Sequence, residues 1–252
     1  MASGYPEAKT LGALLADHAR AGAGRPAIFY SDRIVTYGAL HEEATAVAKA
    51  MLALGIRRGD RVGILFGNQP EWLVACFGAT AIGAVLVPIN TWYKKEEIAW
   101  LIRHSGMRLL LSPVSFLKQD YAALFEELTP GYRDSPAGAL RSERFPDLLA
   151  LVTVGAGRAA EAPWQAFLRL GGSVTDADLA RAAAAVTADD PAMILYTSGS
   201  TADPKGVLLH HGNAIRNGFD MGGRRAVTAD DRVWIGTPLF YALGGINAMP
   251  VA

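Results

Sequence analysis

Apolar positions along this chain switch between two periods. From Leu11 to Gly22 they recur three and four apart, which predicts an opening amphipathic helix. "PAIFYSDRIVTY" then predicts two short strands around a turn at Ser31 and Asp32. Helical spacing returns in "TYGALHEEATAVAKAMLALGI" through Leu40, Ala44, Val47, Ala48, Met51 and Leu52, with Gly55 as the stop. "RVGILF" has no polar alternation, as expected of a strand covered on both faces. Further helices are expected over 70–83, "KKEEIAWLIRHSG" and around "LKQDYAALFEEL", with strands at "AVLVPI" and "RLLLS".

Residues 129–146, rich in Pro, Gly, Ser and Arg, suit a long surface connection. Beyond them "LLALVTVG" and "DPAMILYTS" read as buried strands, with a helix at "DADLARAAAAVT" between. "KGVLLHH" predicts a strand, "GNAIRNGFDMGGRRA" a helix and "DRVWIGTP" a strand; "LFYALGGINAMPVA" resembles an unfinished helix. Strands alternating with helices at this spacing predict an α/β fold of layered, largely parallel sheets flanked by helices. The uncharged run at 72–89 imitates a membrane span, but Gly83 and Pro88 divide it into a helix and a strand, so no transmembrane segment is expected.

Composition narrows the classes of function. Twenty-four basic residues balance twenty-four acidic ones, so no global field draws the chain to nucleic acid or an anionic membrane. The one cysteine, Cys76, lies among apolar neighbours, and a packed thiol is expected there in preference to a nucleophile or metal ligand. A lone cysteine permits no internal disulfide, and the start lacks a basic segment leading into a long apolar core. Together these make a cytoplasmic location the expectation. Oligomeric state is not legible. No His, Cys or carboxylate group has metal-ligand spacing; the adjacent His210 and His211 would point to opposite faces of a strand.

The stretch with chemistry in it is "YTSGSTADPKGVLLHHGN", 196–213. Thr197, Ser198, Ser200 and Thr201 carry hydroxyls, and Gly199 lets the backbone approach a ligand. Pro204 restricts the turn, and Lys205 adds a point charge with three donors. Such a set makes a cradle for a polyphosphate; the plain alternative is a polar hairpin joining two strands. It does not fit the hydrolase phosphate loop GxxxxGK[ST], because Lys205 lies between Pro204 and Gly206 and leads into a strand.

The whole string resembles the signature of adenylate-forming (AMP-binding) enzymes, YTSGSTGxPKGV followed by a histidine and an asparagine. Tyr196 to Thr201, Pro204 to Val207, His211 and Asn213 match it. "GAVLVPINTWYKKEEIAWLIRHSGMRLLL" and "TPLFYALGG" resemble other parts of that family, and the likeness extends over essentially the whole chain. It is nearer to acyl-CoA synthetases, including fatty-acid–CoA ligases, than to peptide-synthetase modules. The resemblance implies a two-step reaction: a carboxylic acid, such as a fatty acid, and Mg2+-ATP give acyl-AMP and pyrophosphate, and coenzyme A then takes the acyl group. It assigns Thr197, Ser198, Gly199, Ser200, Thr201 and Lys205 to the ATP phosphates, and Phe240, Tyr241 and Gly244 to the wall and gate of the acyl pocket.

Ala202, where relatives commonly have Gly, and Tyr241, where many have His, depart from the pattern. His211 is expected to support the hairpin, Asn213 to cap the next helix, and His210 to be structural. The family's adenine strand, magnesium-binding acid, ribose aspartate and second lysine would follow Ala252. The expectation is therefore an incomplete N-terminal AMP-binding domain, 1–252, with a phosphate hairpin at 196–207 and no complete set of catalytic residues. Two other readings stay open: the adenylation unit of a peptide or polyketide assembly line, and a non-catalytic nucleotide- or partner-binding chain.

Overall fold

The computed structural model describes residues 5–136, 138–155, 158–197 and 204–247. In chain order the elements are α1 (Leu11–Gly22), β1 (Pro26–Tyr30), β2 (Arg33–Thr36), α2 (Tyr37–Ala53), β3 (Arg61–Ile64), α3 (Pro70–Ala81), β4 (Val85–Pro88), α4 (Lys95–Ser105) and β5 (Leu109–Pro113). Then come β6 (Ser115–Phe116), β7 (Gln119–Asp120), α5 (Tyr121–Leu128), β8 (Ala150–Val154), α6 (Arg158–Leu170), α7 (Asp176–Ala184), β9 (Pro191–Tyr196), β10 (Gly206–His210), α8 (His211–Arg224) and α9 (Ala242–Gly245).

Six strands form the central sheet in the order β10-β9-β4-β3-β5-β8. All neighbours run parallel except the β9–β10 hairpin, which is antiparallel. The expected α/β architecture is therefore present. Its parallel part obeys the two-sided burial that crossover helices impose. Val62, Ile64, Leu86, Leu109, Leu111 and Met193 enter one core with α1, α2, α3 and α6. Leu65, Val87, Leu110 and Leu151 enter the other with α4 and α5. The period of two thus sorts neighbouring residues of one strand into two separate cores.

Local chemistry explains most boundaries. Thr10, Thr36 and Asp120 accept from backbone N–H groups in the first turns of α1, α2 and α5. The run at 72–89 divides into α3 and β4, joined through Gly83 at φ +73°. Among the described residues no helix is long and apolar enough to cross a membrane. Cys76 is fully buried on α3, and burial pushes its thiol up to about 12.

Three expectations need correction, and one helix went unforeseen. The helix expected near 117 begins only at Tyr121, because Leu117 has φ +53° in the turn of the β6–β7 ribbon. Helix α6 was not anticipated. Pro163 reads as a breaker, yet Phe167 is fully buried against the first core with Trp164 and Leu168 beside it. Residues 231–238, expected to be a strand, join no sheet among the described residues. Past Leu239, helix forms only at Ala242–Gly245 among the described residues.

His211 does more than support a hairpin. It opens α8, and its Nδ1 accepts from the Leu11 backbone N–H at 3.1 Å, satisfying an otherwise open donor of α1. Accepting at Nδ1 leaves the proton of the neutral ring on Nε2, which is buried with no partner among the described residues. Asn213, two residues inside α8, does not cap it; His210 occupies the N-cap position and its Nδ1 lies 2.6 Å from the Asp189 carbonyl.

Burial holds His211 down at about 4, with Asp190 opposing that shift and His210 adding to it. The folded state therefore binds this proton less readily than the unfolded chain. The contribution is complete above about pH 6.5 and is lost as pH falls toward 4, by roughly 3 kcal/mol in all. Melting curves between pH 7 and pH 4 should show this loss. His211→Asn, which keeps an acceptor but does not titrate, should melt lower at pH 7 and show a flatter pH dependence. An unchanged slope in that variant would contradict the assignment.

Candidate functional site

The sheet changes direction around β3. From it the chain steps through α3 to β4 on one side, and later through α4 to β5 on the other. In open parallel sheets the crevice at the carboxyl ends of strands beside such a reversal is where ligands bind. Here that end receives the loop after β3, the loop after β4, the root of the β9–β10 hairpin and the segment 235–245.

Asn68, just beyond β3, holds that last segment. Its Nδ2 donates to the Ile235 and Thr237 carbonyls at 3.0 and 2.9 Å, and its Oδ1 accepts from the Leu239 N–H at 2.8 Å. One amide side chain thereby satisfies three backbone groups that no neighbouring strand pairs, so the segment stays in place without joining the sheet. Sequence reasoning missed Asn68: a polar residue in the loop before Pro70 carries no sign of which distant backbone it will meet.

The expected acyl-wall residues lie along this segment. Phe240 is buried and Tyr241 exposed, with ring centroids 4.7 Å apart. Trp92, after β4, meets both: edge-on to Phe240 at 5.9 Å and tilted toward Tyr241 at 6.1 Å. Asn90 Nδ2 donates to the Tyr241 hydroxyl at 3.5 Å, and Asn90 Oδ1 accepts from the Trp92 N–H at 2.9 Å. Trp92 and Asn90 were not singled out from the sequence. Gly244 is buried, and a Cβ there would run into the Pro238 carbonyl oxygen; one at Gly245 would meet that of Leu239. The wall folds this tightly because both residues lack side chains.

At the hairpin, the Thr197 N–H donates to the Lys205 carbonyl at 3.0 Å, and the pair Tyr196–Gly206 continues the ladder. The ends of the expected phosphate loop are therefore tied together. Lys205 is exposed, and its ammonium makes no ion pair among the described residues. Ser198, Gly199, Ser200 and Thr201, with the departure at Ala202, lie outside the described residues. Among the described residues no three His, Cys, Asp or Glu side chains gather to hold a metal ion. A hollow of about 680 Å3, lined by Tyr132, Arg133 and Leu140 with residues of β8, lies at the opposite edge of the sheet from the hairpin.

Asn68→Ala should free the 235–239 segment. At about 1 kcal/mol for each of three hydrogen bonds, the loss of stability should be 2–3 kcal/mol. Amide exchange should rise at 235–241 while the protection of β3 to β5 is kept. Gly244→Ala should displace the same segment through steric contact; a melting point equal to wild type would refute the close approach.

Residues 15–252 match the AMP-binding enzyme family. The candidate acyl-CoA synthetase YngI of Bacillus subtilis (strain 168) is 35% identical over 238 residues, 93% of this chain and 43% of that protein. The mitochondrial medium-chain acyl-CoA ligase ACSF2 of Rattus norvegicus is 30% identical over 251 residues, 97% of this chain and 41% of that protein. Among solved structures, the anthranilate CoA ligase AuaEII in complex with anthranoyl-AMP superimposes with a TM-score of 0.68 at 23% identity, over 98% of this chain and 42% of that one. The chain spans about two fifths of the length of these curated relatives.

Proposed function

The chain belongs to the AMP-binding enzyme family, and from that premise we propose that it supplies the polyphosphate cradle and the acid-facing wall of an ATP-dependent acyl-CoA ligase. The observation that carries the reading is the placement of Lys205 and Thr197. They close a hairpin at the end of β9, and β9 runs parallel to β4, whose far end carries Asn90 and Trp92 beside Phe240 and Tyr241. A triphosphate and an apolar acid can thus approach one another over the same end of the sheet. The names of YngI and ACSF2 support an acid activated for transfer to coenzyme A.

In this reading a carboxylate oxygen of the acid attacks the α-phosphorus of ATP and pyrophosphate leaves; the sulfur of coenzyme A, its thiol proton lost to solvent, then attacks the acyl carbon and AMP leaves. Lys205 and the hydroxyls of Thr197, Ser198, Ser200 and Thr201 hold the β- and γ-phosphates, while Gly199 gives the backbone room to approach. Their work is positioning and charge neutralisation, with no proton transferred. Mg2+ would arrive on the phosphates. The described residues bring no carboxylate cluster of their own to it. Phe240 and Trp92 offer apolar surface to the acid, Gly244 sets how closely that wall folds, and Tyr241 is the gate. A fatty acid is the substrate class this aromatic wall suits best; coenzyme A is the acceptor, and the protein acts in the cytoplasm.

Carboxylate-dependent exchange of labelled pyrophosphate into ATP, run across short to long fatty acids and aryl acids, tests this, with ATP binding measured alongside. Lys205→Ala should weaken ATP binding roughly tenfold or more, the scale of a charge-assisted hydrogen bond. Tyr241→Ala should change which acids support exchange. A folded chain that neither exchanges pyrophosphate nor binds ATP with dependence on Lys205 would overturn the reading.

A further inference from the structure

The phosphate hairpin projects from the edge of the sheet. β10 has no outer neighbour among the described residues, and Val207 and Leu208 on it are exposed. Backbone pairing therefore holds the hairpin from one side only, through β9. A further restraint, at the end nearest the phosphate loop, comes from Tyr196, the last residue of β9 and the one directly before Thr197.

Alternation along β9 turns Tyr196 to the same face as Ile194, toward the core built on α4. There its hydroxyl lies 2.9 Å from His104 Nδ1. His104 stacks on Trp100, one turn earlier on the same helix face, with centroids 4.4 Å apart and planes 17° from parallel. The Tyr196 ring stands edge-on to both, at 5.9 Å from Trp100 and 5.5 Å from His104. Across the hairpin, a Cβ at Gly206 would press on Ile194 Cγ2 at 2.8 Å while only touching Tyr196 Cζ at 3.4 Å, so glycine lets β10 lie close against the side chains of β9.

We propose that Trp100 and His104 of α4 grip Tyr196 and so hold the phosphate hairpin in its binding position, making His104 and Tyr196 positioning residues for polyphosphate. The proposal rests on the reading of 196–207 as a phosphate hairpin. Its physical basis is preorganisation. Thr197 and Lys205 can meet a phosphate chain together only while the strand ends that carry them are held, and a root already fixed reduces the ordering cost of binding. Two stacked rings on a helix provide a stiff hydrogen-bonding partner for the Tyr196 hydroxyl, and Tyr196 is one peptide away from Thr197 at the root of the hairpin.

Binding of inorganic tripolyphosphate to this 252-residue chain, followed by calorimetry with melting points recorded in parallel, decides it. Wild type should bind and Lys205→Ala should not. His104→Ala and Tyr196→Phe should each weaken binding about fivefold, the worth of one ordinary hydrogen bond. The double variant should be little worse than either single one, because both remove the same contact. His104→Asn, which keeps an acceptor near the Nδ1 position, should recover part of the affinity. If His104→Ala and Tyr196→Phe only lower the melting point and bind tripolyphosphate as wild type does, while Lys205→Ala still loses it, the positioning role is refuted and the phosphate hairpin survives. A folded wild type that does not bind refutes both.

Discussion

The parallel pairing of β9 with β4 is the contact on which the rest of the site depends. More than a hundred residues separate the two strands in sequence, and their register sets Leu86 opposite Met193. That alignment carries the end of β9, and with it the hairpin, to the same edge of the sheet as Asn90 and Trp92. At the other end of β9, Asp190 anchors the strand. Its carboxylate accepts from Arg58 Nε at 2.8 Å and from a second guanidinium nitrogen, and from the Thr187 N–H at 2.8 Å. The hydrogen bond from Arg58 is the main reason the Asp190 carboxyl sits below its usual range. A two-pronged contact of this kind constrains direction as well as distance. Because it lies just ahead of both β3 and β9, it aligns the strands at their starts.

A second theme is backbone satisfied by distant side chains. Asn68 does for the 235–239 segment what a neighbouring strand would do, and His211 does for α1 what a capping residue would do. Both are neutral groups acting where a charge would be costly, and both join parts of the chain more than 160 residues apart in sequence. The consequence differs between them. The His211 contact is buried in the body of the fold, whereas the Asn68 contact holds a wall of the crevice. That wall can shift without breaking a sheet ladder.

The two sides of the crevice differ in chemistry. On the hairpin side stand Thr197 and Lys205, a hydroxyl and a cation in a chain with no net charge. On the other side stand Trp92, Phe240 and Tyr241, large rings with a single hydroxyl and a single indole N–H among them. Both sides are braced by aromatic contacts, Trp92 with Phe240 and Tyr241, and Trp100 and His104 with Tyr196. Stacked and edge-on rings have few rotatable bonds and lose little entropy when ordered, which makes them suitable supports for the backbone beside them.

The alternating strands and helices, the two-sided burial of "RVGILF" and the split of the 72–89 run were legible in the sequence, because each follows from local periodicity and from where Gly and Pro fall. So was the family resemblance of the hairpin, whose chemistry is written in consecutive residues. Tertiary structure decided the rest. The segment 231–238 has the composition of a strand, but a strand exists only where a partner backbone is free, and here Asn68 takes its polar groups instead. No reading of the sequence anticipated α6, which runs through Pro163 and buries Phe167 against the first core. His104, Trp92 and Asn68 gave no local sign of a role, since each acts on a residue more than 90 positions away or across the sheet. Periodicity reports which way a side chain faces; what it faces is set by how the strands pack side by side.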